Sequence, residues 1–195
     1  MVGMTTANIL TICRLVMIPC FAIAVAYYSA GFQEGQPDER LRWLAVTFFA
    51  IAAITDGVDG YVARRFNQRT RLGAILDPLA DKALVMTALL FLSWNPGRAF
   101  DQLPLWLPII ALSRDVLVVF GVALVWIMSR EPEIKPHWIG KTASVLQMAI
   151  LAFVLMKAPV VYWQAPLWMA GICTVISGAI YIVQGTRLLG AQTGG

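Results

Sequence analysis

Long apolar runs separated by short polar ones set the rhythm of this chain. Ile9 to about Ala30 is apolar except for Arg14 near its start; as a helix rising about 1.5 Å per residue, it reaches across the roughly 30 Å hydrocarbon core of a bilayer. Thr5, Thr6, Ala7 and Asn8 form a polar lead suited to capping a helix that begins near Ile9. The pattern then repeats from Leu41 to about Arg64, from Leu72 to about Trp94, from Pro104 to about Met128, and from about Gly140 to Tyr162. A sixth run ends near Arg187, with the stretch from Pro159 to Pro166 expected to break it from the fifth. Between them lie a polar loop from Gly31 to Arg42, a basic connector from Arg65 to Arg71, a breaker-rich turn from Asn95 to Leu103, and a polar loop from Ser129 to Ile139. The pattern predicts an all-α polytopic membrane protein with six transmembrane helices, one membrane domain over residues 1-195, and both termini on one side. No basic segment precedes the first run, so that run is expected to stay in the membrane rather than act as a cleaved leader.

Composition agrees: 59% of residues are hydrophobic and 13% charged, well away from a typical soluble domain. The net charge of +4 sits in short loops, which points to anionic headgroups and phosphorylated substrates rather than nucleic acid. Arg64, Arg65, Arg69, Arg71, Arg130, Lys135 and Lys141 flank the even-numbered connectors, against Arg40, Arg42, Arg98 and Lys157 on the odd ones. That bias predicts cytoplasmic termini. Cys13, Cys20 and Cys173 have no paired spacing and are expected to be buried free thiols, with neither disulfides nor zinc. Tyr27, Tyr28, Trp94, Trp106, Tyr162 and Trp163 are expected in an interfacial aromatic belt, and the lone His137 has no assigned role.

Candidate chemistry lies between Asp56 and Asp81. Asp56, Asp59, Asp77 and Asp81 stand in or beside apolar sequence, where an isolated carboxylate at the bilayer centre costs about 2.5 to 3.5 kcal/mol. On a helix turning about 100° per residue, Asp56 and Asp59 lie within roughly 60° of each other, and Asp77 and Asp81 within roughly 40°. Two such pairs on neighbouring antiparallel helices would form an oxygen-only cage, which suits Mg²⁺ or Mn²⁺ and not zinc. Two divalent ions would neutralise all four charges. Asp56, Gly60 and Arg64 form one four-step stripe, and Gly73, Asp77 and Asp81 another. The glycines clear space, and Arg64 offers a fork for a phosphate. Close helix packing is the competing reading of the glycines.

These residues, DGVDGYVAR from Asp56 to Arg64 and GAILDPLAD from Gly73 to Asp81, resemble the signature of the CDP-alcohol phosphotransferases, D(x)2DG(x)2AR(x)8G(x)3D(x)3D. Every specified position is filled. The resemblance implies a phosphatidyl transfer from CDP-diacylglycerol to an alcohol, with release of CMP. It implies Asp56, Asp59, Asp77 and Asp81 as ligands of two Mg²⁺ or Mn²⁺ ions, and Asp81 also as the base that takes the acceptor's proton. Gly60, Arg64 and Gly73 would line the nucleotide pocket. A homodimer is implied in the same way, while the bias of basic residues places the aspartates, like the termini, on the cytoplasmic side of what is expected to be a bacterial inner membrane. An aspartate base is weak in water, with an ordinary pKa of about 3.9, but metal-bound hydroxyls are acidified.

Two further clusters bear on the acceptor. Ser113, Arg114 and Asp115 put charge into the fourth run, and Gly140, Lys141, Thr142 and Gln147 open the fifth. An intramembrane arginine is a functional candidate, although Arg114 pairing with Asp115 to join helices is the alternative. Lys141 has a duller reading as a snorkelling residue, and Arg187 as an anchor. With the segment from Asn8 to Arg14 and the LDPLADK run from Leu76 to Lys82, these clusters resemble the glycerol-phospholipid branch, which holds phosphatidylglycerophosphate and cardiolipin synthases. Glycerol 3-phosphate is the expected acceptor, because that activity is the more widespread. Phosphatidylglycerol is the alternative, because Arg114 is followed by Asp115 where synthases using glycerol 3-phosphate commonly carry Arg-Glu. A cation or proton transporter is the competing class, but the four aspartates gather toward one face and no acidic ladder continues across. Paired broken helices in repeated halves are also missing from the pattern.

Overall fold

A computed structural model describes the backbone of residues 6–66, 71–94, 98–128 and 138–193, and the side chains of residues 12–55, 80–94, 98–121, 138–184 and 186. The described residues are all-α, with helices α1 (Thr6–Gln33), α2 (Glu39–Phe66), α3 (Arg71–Ser93), α4 (Trp106–Met128), α5 (Trp138–Leu155) and α6 (Val160–Thr193). Each expected run is a helix. Three segments among the described residues, Ile12–Gln33, Trp138–Leu155 and Val160–Gln184, are long and apolar enough to cross a membrane.

The chain divides into two compact units, residues 1–103 with 151–159, and residues 104–150 with 160–195. In the first unit α1 packs against α2 and α3, and α2 against α3. The core-facing stripe of α1 is Arg14, Ile18, Phe21, Val25 and Tyr28, all buried and spaced by alternating steps of four and three that keep one helical face inward. It meets Ala45, Phe49 and Ala52 of α2 and Ala80, Leu84, Ala88 and Leu92 of α3, buried at the same helical periodicity. The alanines let helix backbones approach closely, which matters in lipid, where burial of apolar area no longer drives association. In the second unit α4 packs on α6. The rings of Trp106 and Trp168 stack there at 5.4 Å, and Gly171 makes room for them, since a Cβ on it would fall 2.7 Å from Trp106 Cζ3.

Several helix ends differ from expectation. The helix is already formed at Thr6, so Thr6, Ala7 and Asn8 belong to it rather than precede it. At its other end α1 runs three residues past Ala30 and closes in a Schellman motif. Gln36 N donates to Gly31 O (2.9 Å), Gly35 N donates to Phe32 O, and Gly35 takes the left-handed φ of 73° that glycine permits. Asp38 caps α2, its carboxylate accepting from Arg40 N at 2.9 Å. The fifth helix stops at Leu155 instead of Tyr162, and α6 starts at Val160 with Pro166 inside it. The break is therefore the stretch from Met156 to Pro159. Ala158 N donates to Phe153 O (2.9 Å) and Lys157 N to Val154 O (3.0 Å), which repeats the Schellman closure with Lys157, not glycine, at φ 55°.

Apolar sequence also proved a poor guide to which side chains the protein itself covers. Cys13 is exposed and Cys20 and Cys173 are half-buried, all three free, because their helix faces turn away from the core. Tyr28 and Trp163, assigned to an interfacial belt, are instead buried core residues, whereas Tyr27, Trp94 and Tyr162 are exposed as a belt requires.

Candidate active site

Asp56, Asp59, Gly60 and Arg64 lie on α2, which continues unbroken to Phe66, and Gly73, Asp77 and Asp81 lie on α3. Their helical spacing therefore holds, and each aspartate pair shares one face of its helix. The two helices pack against each other. The side chains of Asp56, Asp59, Gly60, Arg64, Gly73 and Asp77 lie outside the described residues. Asp81 is half-buried between the core residues Ala80 and Leu84 and is engaged within the chain rather than free.

The donor chemistry fits the expected ions. Neither α2 nor α3 contains a cysteine or histidine, so hard carboxylate oxygens are the acidic ligands these two helices offer, and such donors select Mg²⁺ or Mn²⁺ over zinc. Arg14 was missed by sequence reasoning. It stands on the core-facing stripe of α1, is 0% exposed and is engaged within the chain. A guanidinium taken fully out of solvent needs compensating partners, so Arg14 belongs to the polar interior of this unit. Its signal was its place on the inward stripe, four residues before Ile18.

The second unit carries a separate polar knot. Arg114 on α4 has a side chain 13% exposed; its Nη1 donates to Asp115 Oδ1 at 3.0 Å and its Nε to Ser177 Oγ on α6 at 3.0 Å. Ser177 Oγ in turn donates to Thr174 O at 3.3 Å. The Tyr181 ring lies 6.0 Å from the guanidinium carbon, within cation–π range. The Arg114–Asp115 pairing expected as the alternative is thus present, within α4, and it is the hydrogen bond to Ser177 that ties α4 to α6. Two of the guanidinium's three nitrogens are engaged in this way. Nη2 donates to none of the described residues and lies against Gly140, where an added Cβ would overlap it. Lys141 follows with an exposed side chain. Gln147, grouped with these residues by sequence, is buried one turn and more along α5 and donates to Thr174 Oγ1 at 3.3 Å, so it joins α5 to α6.

The described clefts in the first unit stand apart from this chemistry. One apolar cleft, about 370 Å³, is lined by Ala26, Ser29, Ala30, Gln33, Leu90, Phe91 and Trp94. Its α3 wall begins nine residues beyond Asp81, roughly 14 Å along the helix. It presents no charged group.

Comparisons with known proteins agree with the signature. A family model described as CDP-alcohol phosphatidyltransferase matches residues 4–177. The chain is 36% identical over 188 residues to a "Probable phosphatidylglycerophosphate synthase" of Mycobacterium tuberculosis, covering 94% of this chain and 83% of that protein. It is 31% identical to a CDP-diacylglycerol--glycerol-3-phosphate 3-phosphatidyltransferase of Salmonella typhimurium, and 30% to one of the same description from Escherichia coli K12, each over 89% of this chain and 86% of the relative. With the full aspartate signature on two packed helices, and a family match over nearly the whole length, the chain is a membrane transferase that belongs to the CDP-alcohol phosphatidyltransferase family.

Proposed function

We propose that this protein transfers the phosphatidyl group of CDP-diacylglycerol to glycerol 3-phosphate, releasing CMP, at a site built from α2 and α3 and facing the cytoplasm. The observation that carries the reading is the complete signature on two continuous helices that pack together. Two relatives named as CDP-diacylglycerol--glycerol-3-phosphate 3-phosphatidyltransferases, and one named as a probable phosphatidylglycerophosphate synthase, support it.

In this reading Asp56, Asp59, Asp77 and Asp81 hold two Mg²⁺ or Mn²⁺ ions. When bound, these ions clamp the pyrophosphate and neutralise charge on the departing phosphate. Gly60 and Gly73 leave room for the cytidine nucleotide, and Arg64 holds a phosphate through its planar fork. Asp81 takes the proton from the acceptor hydroxyl. The freed oxygen forms a bond to the phosphatidyl phosphorus as the bond from that phosphorus to the CMP oxygen breaks. CMP leaves with that electron pair, and Asp81 later returns its proton to solvent. Arg114 and Lys141 bind the phosphate already present on the acceptor and so orient its free hydroxyl for in-line attack.

All six helices cross the inner membrane in this reading, with both termini in the cytoplasm. The chain serves as one membrane domain over residues 1-195, and the protein works as a homodimer. The many apolar side chains left exposed on the described helices, among them Ile23, Ile54, Val119 and Val161, suit contact with lipid.

Phosphatidylglycerol is the second acceptor to test, because Asp115 follows Arg114 and both acceptors carry a phosphate. Purified protein is offered CDP-diacylglycerol with glycerol 3-phosphate, phosphatidylglycerol, inositol phosphate or serine, and the lipid product is identified. Phosphatidylglycerophosphate formed in preference to the others is the expected result. Cardiolipin as the main product would reassign the acceptor, and CMP release that no alcohol stimulates would overturn the transfer.

A further inference from the structure

Gly140 stands where the second unit brings α5 to Arg114. A Cβ built on it would overlap Arg114 Nη2, lie 3.4 Å from Cζ, and lie 3.7 Å from Ser177 Oγ. The space that a side chain at position 140 would take is thus filled by the guanidinium. This differs from an ordinary packing glycine. At Gly171 the space is filled by the Trp106 ring and by Ile110, and at Gly178 the nearest atoms are Arg114 Cγ and Cβ at ordinary contact distances of 3.8 and 3.9 Å. Around Gly140 the neighbour is the charged end of one flexible side chain, held by Ser177 through Nε and by Asp115 through Nη1.

We propose that Gly140 is a positioning residue for the acceptor's phosphate: by lacking a side chain it lets the Arg114 guanidinium lie beside the start of α5, with Nη2 donating to none of the described residues. The proposal rests on the reading of Arg114 as an acceptor contact and deepens it. Ser177 and Asp115 fix two sides of the fork, Gly140 opens the third, and the remaining N–H groups are left for an anion's oxygens. Asp115 offsets part of the arginine's charge, and Lys141 supplies the second cation that a dianionic phosphate needs. Because the clashing atom is the far end of a mobile side chain, a methyl group at position 140 displaces the guanidinium instead of prying helices apart. Acceptor binding is therefore lost while the fold persists.

The test is steady-state kinetics of the full chain in mixed micelles with CDP-diacylglycerol and glycerol 3-phosphate. Gly140→Ala is expected to raise KM for glycerol 3-phosphate on the order of tenfold, as befits the loss of one charge-assisted hydrogen bond. KM for CDP-diacylglycerol stays unchanged. Ser177→Ala, which removes a bond without adding bulk, produces a smaller rise of the same selective kind and keeps the test open if Gly140→Ala folds poorly. Gly121→Ala, at a glycine with no neighbour within 4 Å of an added Cβ, is the control and leaves both KM values alone.

Arg114→Lys separates this proposal from the reading beneath it. If Arg114→Lys leaves KM for glycerol 3-phosphate unchanged, the acceptor reading of Arg114 fails and the role of Gly140 falls with it. If Arg114→Lys raises that KM but Gly140→Ala and Ser177→Ala do not, Gly140 has no positioning role while the acceptor reading stands. Action through the arginine also requires non-additivity, so that Gly140→Ala with Arg114→Lys is no worse than Arg114→Lys alone. Fully additive effects, or equal rises in both KM values, contradict the proposal.

Discussion

Glu39 in the first unit and Arg114 in the second are each the hub of a polar knot, and the two knots are completed differently. The Glu39 carboxylate accepts from Arg42 Nε at 2.5 Å and from the Tyr28 hydroxyl at 2.9 Å, and lies 3.8 Å from Lys157 Nζ. Lys157 donates to the Tyr28 oxygen at 2.6 Å, and Arg42 Nη1 donates to Leu155 O at 3.3 Å. One acid thus faces two cations and a hydroxyl, and the group fastens the end of α1, the start of α2 and the end of α5. Each of its charged groups has a partner of opposite sign within the knot. Arg114 is held through Nε and Nη1, yet Nη2, beside Gly140, donates to none of the described residues. A closed knot stabilises the fold, whereas a half-buried cation with a spare donor is equipped to bind an anion.

The largest expected effect comes from opening the second knot altogether. Arg114→Ala removes the guanidinium from the proposed acceptor site and should lower kcat/KM for glycerol 3-phosphate by about a hundredfold, the size of one or two charge-assisted hydrogen bonds. Its effect on nucleotide affinity should be slight, as titration with CDP-diacylglycerol would check. Opening the first knot should do the reverse. Tyr28 is fully buried, so Tyr28→Phe removes the hydrogen bonds that join it to Glu39 and Lys157 and should cost about 1 kcal/mol of stability. In a chain of this length that is a fall of roughly 2–4 °C in thermal midpoint. The kinetic constants should stay at their wild-type values; a loss of acceptor affinity in this variant would erase the distinction between the knots.

The legible part of the molecule was the part set by local spacing. Asp56 to Asp81 lie on two helices, where fixed steps decide which residues share a face, so the shared face of each aspartate pair needed no tertiary information. Side chains whose role depends on distant partners were not legible. Arg14 looked like a residue near the start of a span, and its complete burial follows from which face of α1 meets α2 and α3. Tyr28 read as a belt residue because its partner Glu39 comes from α2 and Lys157 from the far end of the chain. The end of α5 was missed because a lysine is no stop signal. Glycine at Gly35 announces the left-handed residue that closes α1, whereas Lys157 accepts the same conformation at the end of α5, where its ammonium reaches Tyr28.

Lys157→Gly sharpens that point with a smaller effect. Glycine relieves a left-handed residue by about 1 kcal/mol but removes a partly exposed ion pair and a hydrogen bond of similar worth. Thermal melts should therefore find the variant within about 0.5 kcal/mol of the parent, on the scale of surface substitutions. The smallest effect is electrostatic. Hydrogen bonds from Arg42 and then Tyr28, with the charges of Arg42 and Lys157, hold the Glu39 carboxyl below its ordinary value of 4.5. A depressed acid contributes stability that is fully present above its unfolded pKa and is lost as pH falls through the folded one. Melting midpoints should therefore be insensitive to this group near neutrality and should decline below about pH 4.5. Because Glu39 is half exposed, solvent screens most of the effect. Glu39→Gln should flatten that part of the profile slightly.

The central claim is that the aspartates of α2 and α3 act together through divalent cations to break the CDP-lipid bond. The most direct measurement is CMP release by purified protein with CDP-diacylglycerol and glycerol 3-phosphate, compared with and without Mg²⁺ and between the parent and Asp77→Ala. The account predicts release that chelator abolishes and that Mg²⁺ or Mn²⁺ restores, and a rate in Asp77→Ala lower by at least about a thousandfold, the scale of a lost catalytic metal. CMP release that persists in chelator, or in Asp77→Ala at a rate near the parent's, would contradict it.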